Sequence, residues 1–129
     1  MKIKYSECCY ISLYDDPTSF EKISYYLENS SSLDTINLED DSWEIPNGCT
    51  IEDEDRIHME RIAALVKRIF LDKNKKITIS SLRIHDKQKN PTKEKYFPED
   101  GNHRLLAAKY LYDKLKIDVE IEINFYDYS

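Results

Sequence analysis

Residues 101–125 read Gly-Asn-His-Arg-Leu-Leu-Ala-Ala-Lys-Tyr-Leu-Tyr-Asp-Lys-Leu-Lys-Ile-Asp-Val-Glu-Ile-Glu-Ile-Asn-Phe, and two periodicities meet inside them. Leu105, Ala108, Leu111, Tyr112 and Leu115 recur at helical spacing, which predicts a helix over about Gly101–Leu115 with those side chains buried. From Asp118 to Phe125 the period changes. Val119, Ile121, Ile123 and Phe125 alternate with Asp118, Glu120, Glu122 and Asn124, the pattern of a strand with one face in a core and one in water.

Upstream, the stretch Lys76–Ile84 predicts another strand, with Ile77 and Ile79 alternating before Leu82 and Ile84. The clearest helix runs over about Asp53–Leu71, where Ile62, Leu65, Val66, Ile69 and Phe70 form the apolar stripe. Glu52, Asp53, Glu54 and Asp55 open it and Lys67 and Arg68 close it, as the helix dipole favours. Near the N-terminus, Tyr10–Tyr14 reads as a strand. Asp16 and Pro17 then read as an N-cap and first-turn proline opening a helix to about Asn29, with Phe20, Ile23 and Leu27 on one face. Asp34–Gly48 reads as a loop with one short strand at Trp43–Ile45, and the polar stretch His85–Lys95 as a surface loop or hairpin tip. The order predicts an α+β fold of two layers, a small mixed sheet packed with helices.

With 129 residues and 15.3 kDa, the chain is expected to form one domain over 1–129. Forty per cent apolar residues argue against a disordered chain, and only two glycines and four prolines exclude collagen-like or linker-like classes. No apolar run could cross a bilayer, and the start lacks a secretory signal pattern, so a cytoplasmic protein with no membrane partner is expected. A net charge of −6 disfavours unspecific coating of nucleic acid, although a local basic patch could still bind a nucleotide. Cys8, Cys9 and Cys49 lack the spacing of a disulfide framework or a zinc site and read as reduced, mostly buried thiols.

The segment richest in chemistry is Pro98-Glu99-Asp100-Gly101-Asn102-His103-Arg104, where a loop enters a helix. Asp100 reads as the N-cap, and Gly101 permits a tight turn or close approach to a ligand. First-turn amides attract anions, and the Arg104 guanidinium can fork two phosphate oxygens. Glu99 and Asp100 repel phosphate and fit such a site if Mg²⁺ mediates or if one of them is a base. The other reading of the same residues is an N-capped helix with an exposed His-Arg pair. Glu54 and His58, at i and i+4, read as an exposed ion pair. With no further ligand at metal spacing, a metal site is not expected there. His85, Lys87, Lys89, Lys93 and Lys95 read as a solvated run, or as a grip on a phosphate or a nucleic-acid strand if the loop folds over the turn. The tyrosines near the N-terminus, Tyr5, Tyr10, Tyr14, Tyr25 and Tyr26, read as core and interface residues.

The run Asp100-Gly101-Asn102-His103-Arg104-Leu105-Leu106-Ala107-Ala108 resembles the DGxHRxxAA signature of the ParB/sulfiredoxin superfamily. The strand before it, the strand after it and the helix from Asp55 to Val66 are similar to that family's arrangement. The resemblance covers about 52–125 and leaves 1–50 unmatched. It implies a nucleotide, ATP or CTP, with its phosphates on Gly101, Asn102, His103 and Arg104, and Mg²⁺ as cofactor. Members include DNA clamps, a sulfinic-acid repair enzyme, a serine kinase and nucleases. Asn102 stands where the repair enzyme needs cysteine, which argues against that chemistry. The helix-turn-helix and dimerisation regions of the partition clamps do not follow this sequence, so a stand-alone partition protein is not expected.

The expectation is therefore NTP hydrolysis or phosphoryl transfer, with Asp100, Glu54 and His103 as catalytic candidates and Glu52 or Glu60 as other carboxylates for the base. A ParB-like nuclease or DNA-binding protein is one alternative. A non-catalytic acidic inhibitor or immunity-type protein with a basic protein partner is the other.

Overall fold

In a computed structural model, the described residues are 1–38, 45, 47–81, 91–93, 95 and 97–125. The chain runs β1 (Lys2–Lys4), α1 (Ser19–Asn29), α2 (Ile51–Leu71), β2 (Lys76–Ser81), α3 (Asn102–Leu115) and β3 (Glu120–Phe125). Short 3₁₀ turns occupy Tyr5–Glu7 and Leu33–Thr35. This is an α+β fold.

The sheet order is β1-β3-β2, with β1 antiparallel and β2 parallel to the central β3. Parallel strands need a crossover, and α3 supplies it. The pleat sorts the sheet by chemistry. Ile77, Ile79, Ile121 and Ile123 are buried on the core face. On the other face Lys4 and Lys76 both register with Glu120, while Lys2 and Thr78 register with Glu122, so unlike charges stand opposite each other.

Against the core face lies α3, with α2 packed on its other side and α1 against α2. A helix between two layers must be apolar nearly all round. Accordingly Leu105, Leu106, Ala107, Ala108, Tyr110 and Leu111 are all buried. Each fully buried leucine here contributes about 1.5–3 kcal/mol. The alanines, with only a methyl group, let the neighbouring layers approach the α3 backbone.

Several elements depart from the sequence expectation. Tyr10–Tyr14 forms no strand. Its backbone is satisfied elsewhere: Leu13 N donates to Asn102 Oδ1 (3.0 Å), and Tyr14 N to the Ser12 hydroxyl (3.2 Å). Such side-chain acceptors compete with sheet pairing. The N-terminal strand is instead Lys2–Lys4, too short to announce itself and held by register with β3.

The helix boundaries shift with the capping groups. α1 begins at Ser19 because the Asp16 carboxylate accepts from the Thr18 amide and hydroxyl, both at 2.8 Å, making a turn before the helix. α2 begins at Ile51 because Thr50 caps it, accepting from Asp53 N (3.1 Å). α3 is preceded by Gly101 at its N-cap, not by Asp100.

Phe70, Tyr112 and Leu115 are exposed rather than core residues, and Leu106, Ala107 and Tyr110 take the interior places on α3. Phe125 also reaches solvent at the end of β3. The three cysteines are half-buried, not interior. The expected strand positions Trp43, Leu82 and Ile84, with most of the 85–95 loop including His85, Lys87 and Lys89, lie outside the described residues. Among the described residues no helix is long and apolar enough to cross a membrane.

Candidate functional site at the start of α3

The polypeptide enters α3 from the carboxyl end of β2. Ser80 N donates to Asp100 O (3.0 Å), while Glu99 N and Asp100 N both donate to Ser80 O. This pins the turn to the strand. Gly101 then adopts φ +93°, a left-handed conformation that side chains resist. A Cβ there would lie 2.8 Å from Ile79 Cγ2 and 3.0 Å from Ile79 Cα. Glycine is therefore demanded by close packing on β2, whatever else the turn does.

The residues beyond Gly101 divide between inside and outside. Asn102 is buried. Its Oδ1 accepts from Leu13 N, its Nδ2 donates to Pro98 O (3.2 Å), and its backbone carbonyl accepts from Ser12 Oγ (2.7 Å). The Asn102 side chain thus ties the 12–14 segment to the turn and is directed into the protein, not toward a ligand. Asp100 and Arg104 face outward. Asp100 Oδ1 accepts from Gly101 N (2.9 Å), and Arg104 Nη2 lies 3.7 Å from Asp100 Oδ2. The carboxylate is 74% exposed and the guanidinium side chain 38% exposed, so water weakens this pair.

His103 joins a group the sequence did not announce. Its Nε2 is 2.8 Å from Nδ1 of His58 on α2. Tyr14 stacks on both imidazoles, with centroids 4.4 Å from His103 and 4.6 Å from His58. Burial, followed by the nearby His58, Arg61 and Arg104 charges, pushes the His103 pKa down to about 3. Burial also lowers that of His58, with Glu54 and Asp55 opposing. Both rings are neutral near pH 7. His58 is consequently not the solvent-exposed partner of Glu54 that i, i+4 spacing suggested; it is half-buried and turned to α3. A signal existed. Extending the stripe Ile62, Leu65, Val66 and Ile69 back by one turn passes through His58.

Of the carboxylates considered for catalysis, Glu54 lies near enough to influence His58, and Glu52 is exposed in the first turn of α2. Glu60 is engaged by Arg56 at 3.3 Å. Lys93 and Lys95 are exposed. Among the described residues no group of three or more His, Cys, Asp or Glu side chains could hold a metal ion.

Two cavities are lined by residues of α3 and of the 5–20 segment. One of about 410 Å³ is bounded by Asp15, Asp16, Pro17, Phe20 and Lys109. Another of about 260 Å³ touches Tyr5, Tyr10, Ser12, Lys95 and Lys109. The Lys109–Asp15 ion pair, at 2.6 Å, borders both. No family model, curated protein or solved structure matches the chain.

Proposed function

We propose that the chain is a ParB/sulfiredoxin-like nucleotide-binding protein that hydrolyses or transfers the terminal phosphate of ATP or CTP at the Asp100–Arg104 turn. The observation that carries this reading is the start of α3. It has a glycine N-cap with no side-chain cap, no acidic residue in its first turn, and a position at the carboxyl end of the parallel pair β2 and β3. Helix geometry leaves first-turn amides without intrahelical acceptors, and open sheets gather ligands at the carboxyl ends of their parallel strands.

In this reading the amides of Asn102, His103 and Arg104 and the Arg104 guanidinium hold the phosphates. Asp100, exposed beside Arg104, is suited to Mg²⁺ brought in on the phosphates, since Mg²⁺ commonly takes one or two protein carboxylates and completes its shell with phosphate and water. The ion would offset charge on the transferred group. His103 and Glu54 remain the candidates for handling the acceptor's proton. The Asn102 amide positions the turn from within.

Calorimetric titration with ATP, CTP, GTP and ADP, each with and without Mg²⁺, tests the reading. Saturable binding that Arg104→Ala abolishes, with an unchanged melting profile, is the expected result. Absence of binding by all of these nucleotides refutes it.

A second reading has one observation in its favour: the inward side chains of Asn102 and His103 make sense if the turn is a structural cap. The chain is then a non-catalytic acidic protein that binds a basic partner. Retention of partner binding by Arg104→Ala in light scattering distinguishes this reading. The nuclease reading has no comparable support among the described residues.

A further inference from the structure

We propose that the smaller cavity, lined by the 5–15 segment, Lys95 and α3, is a binding site for a small organic monocarboxylate with one apolar ring. The inference stands apart from the phosphate reading and uses none of its residues. The cavity measures about 260 Å³. A dry apolar cavity of about 150 Å³ admits a benzene ring, and drug-sized ligands take about 300–1,000 Å³. The volume therefore suits one ring with its acid group and is too small for a nucleoside triphosphate.

The lining is of two kinds. Ile11, Leu105 and Leu106, with the rings of Tyr5 and Tyr10, supply apolar surface for a ring. The polar lining is mostly basic or donating. Ser12 is already committed, since its hydroxyl donates to Asn102 O (2.7 Å) and accepts from Tyr14 N (3.2 Å). Lys109 Nζ donates to Asp15 Oδ2 at 2.6 Å. An ammonium has three N–H donors, so Lys109 keeps two beyond the one that Asp15 takes. Its side chain is 34% exposed and that of Asp15 21%, which shields a further anionic contact from much of the water. Burial, then the nearby Asp113, Cys8 and Asp15, raises the Tyr5 pKa above that of an ordinary phenol, so Tyr5 stays protonated and donates.

Charge selects the ligand. Two ammonium groups, Lys95 and Lys109, against one carboxylate, Asp15, leave one positive charge on this cavity. The neighbouring cavity of about 410 Å³ shares Asp15 and Lys109 but has Asp16 in place of Lys95, so its excess is negative. An anion therefore belongs in the smaller one. A single negative charge matches it better than a phosphate dianion, which Asp15 repels more strongly.

Calorimetric titration of the full chain with benzoate tests the assignment, run beside benzamide, benzylamine and inorganic phosphate. Benzoate should bind saturably at millimolar concentration or below, and benzamide and benzylamine should not. In methyl NMR spectra benzoate should shift the Ile11, Leu105 and Leu106 resonances, and phosphate should not. Lys95→Met and Tyr5→Phe keep the apolar wall and should each weaken benzoate by about tenfold, with an unchanged melting profile. Lys109→Met should abolish binding. Because that change strands Asp15, the double variant Asp15→Asn/Lys109→Met removes the ion pair as a unit and should abolish binding too. The assignment is overturned by an absence of saturable benzoate binding, by equal binding of benzamide or benzylamine, or by benzoate that leaves those methyls unshifted. An affinity unchanged in both Lys95→Met and Tyr5→Phe overturns it as well.

Discussion

The starts of α2 and α3 answer the same physical need in opposite ways. α2 opens with Thr50, whose side chain accepts from Asp53 N, and carries Glu52, Asp53 and Glu54 in its first turn. Its positive dipole end is met by its own acids in solvent. α3 opens with Gly101, has no acid in its first turn and continues with Asn102, His103 and Arg104. One helix start is complete as an exposed terminus. The other is wedged against a strand, with its ring and amide side chains turned inward and its guanidinium left at the surface. A helix start with no acid in its first turn is suited to an anion from outside.

Disruption of the α3 start should have the largest effect. Gly101→Val places a branched side chain against Ile79 in a left-handed conformation and should destabilise the fold by about 3 kcal/mol or more in denaturant unfolding. Asn102→Ala removes a buried acceptor from Leu13 N and a donor to Pro98 O. A loss of about 1–3 kcal/mol is expected, with earlier protease cleavage near residues 12–14. Thr50→Ala should cost about 1 kcal/mol, because only an exposed cap is lost. An equal cost for Gly101→Val and Thr50→Ala would dissolve the contrast between the two helix starts.

Acidification separates them further. The His58 and His103 pKa values are lowered by folding, so the unfolded chain takes up protons first as pH falls. Their contribution to stability is therefore fully present above about pH 6.5. It declines below that, and for His103 levels off near pH 3. A His58→Gln/His103→Gln double variant should flatten this part of the stability curve measured by urea titration between pH 7 and 4. It should have its smallest effect on the slope near pH 7. An unchanged slope would show that the rings do not remain neutral in the folded protein.

The sequence made these regions legible to different degrees. Periodicity located α2, α3 and β3 because burial repeats at fixed steps along each. It failed at Tyr112 and Leu115, since the helical face alone does not reveal where the covering layer ends. Tyr10–Tyr14 has strand-like composition, yet its backbone partners are Ser12 and Asn102, and the latter is far away in sequence. The Asp100–Arg104 turn was visible as a motif. Its division into buried and exposed side chains was not, because His58 and Tyr14 reach His103 only through tertiary packing.

Pairing of β1 with β3 also governs the order in which the chain can be assembled. Lys2–Lys4 must wait for Glu120–Glu122, and the Met1 amino group donates to the Ile123 carbonyl across a separation of 122 residues. During vectorial synthesis α1 and α2 can meet while β1 is still without its neighbour. The central strand follows α1, α2 and α3 in the chain, so its pairing with β1 is a long-range closure, and the slow phase of refolding should report it.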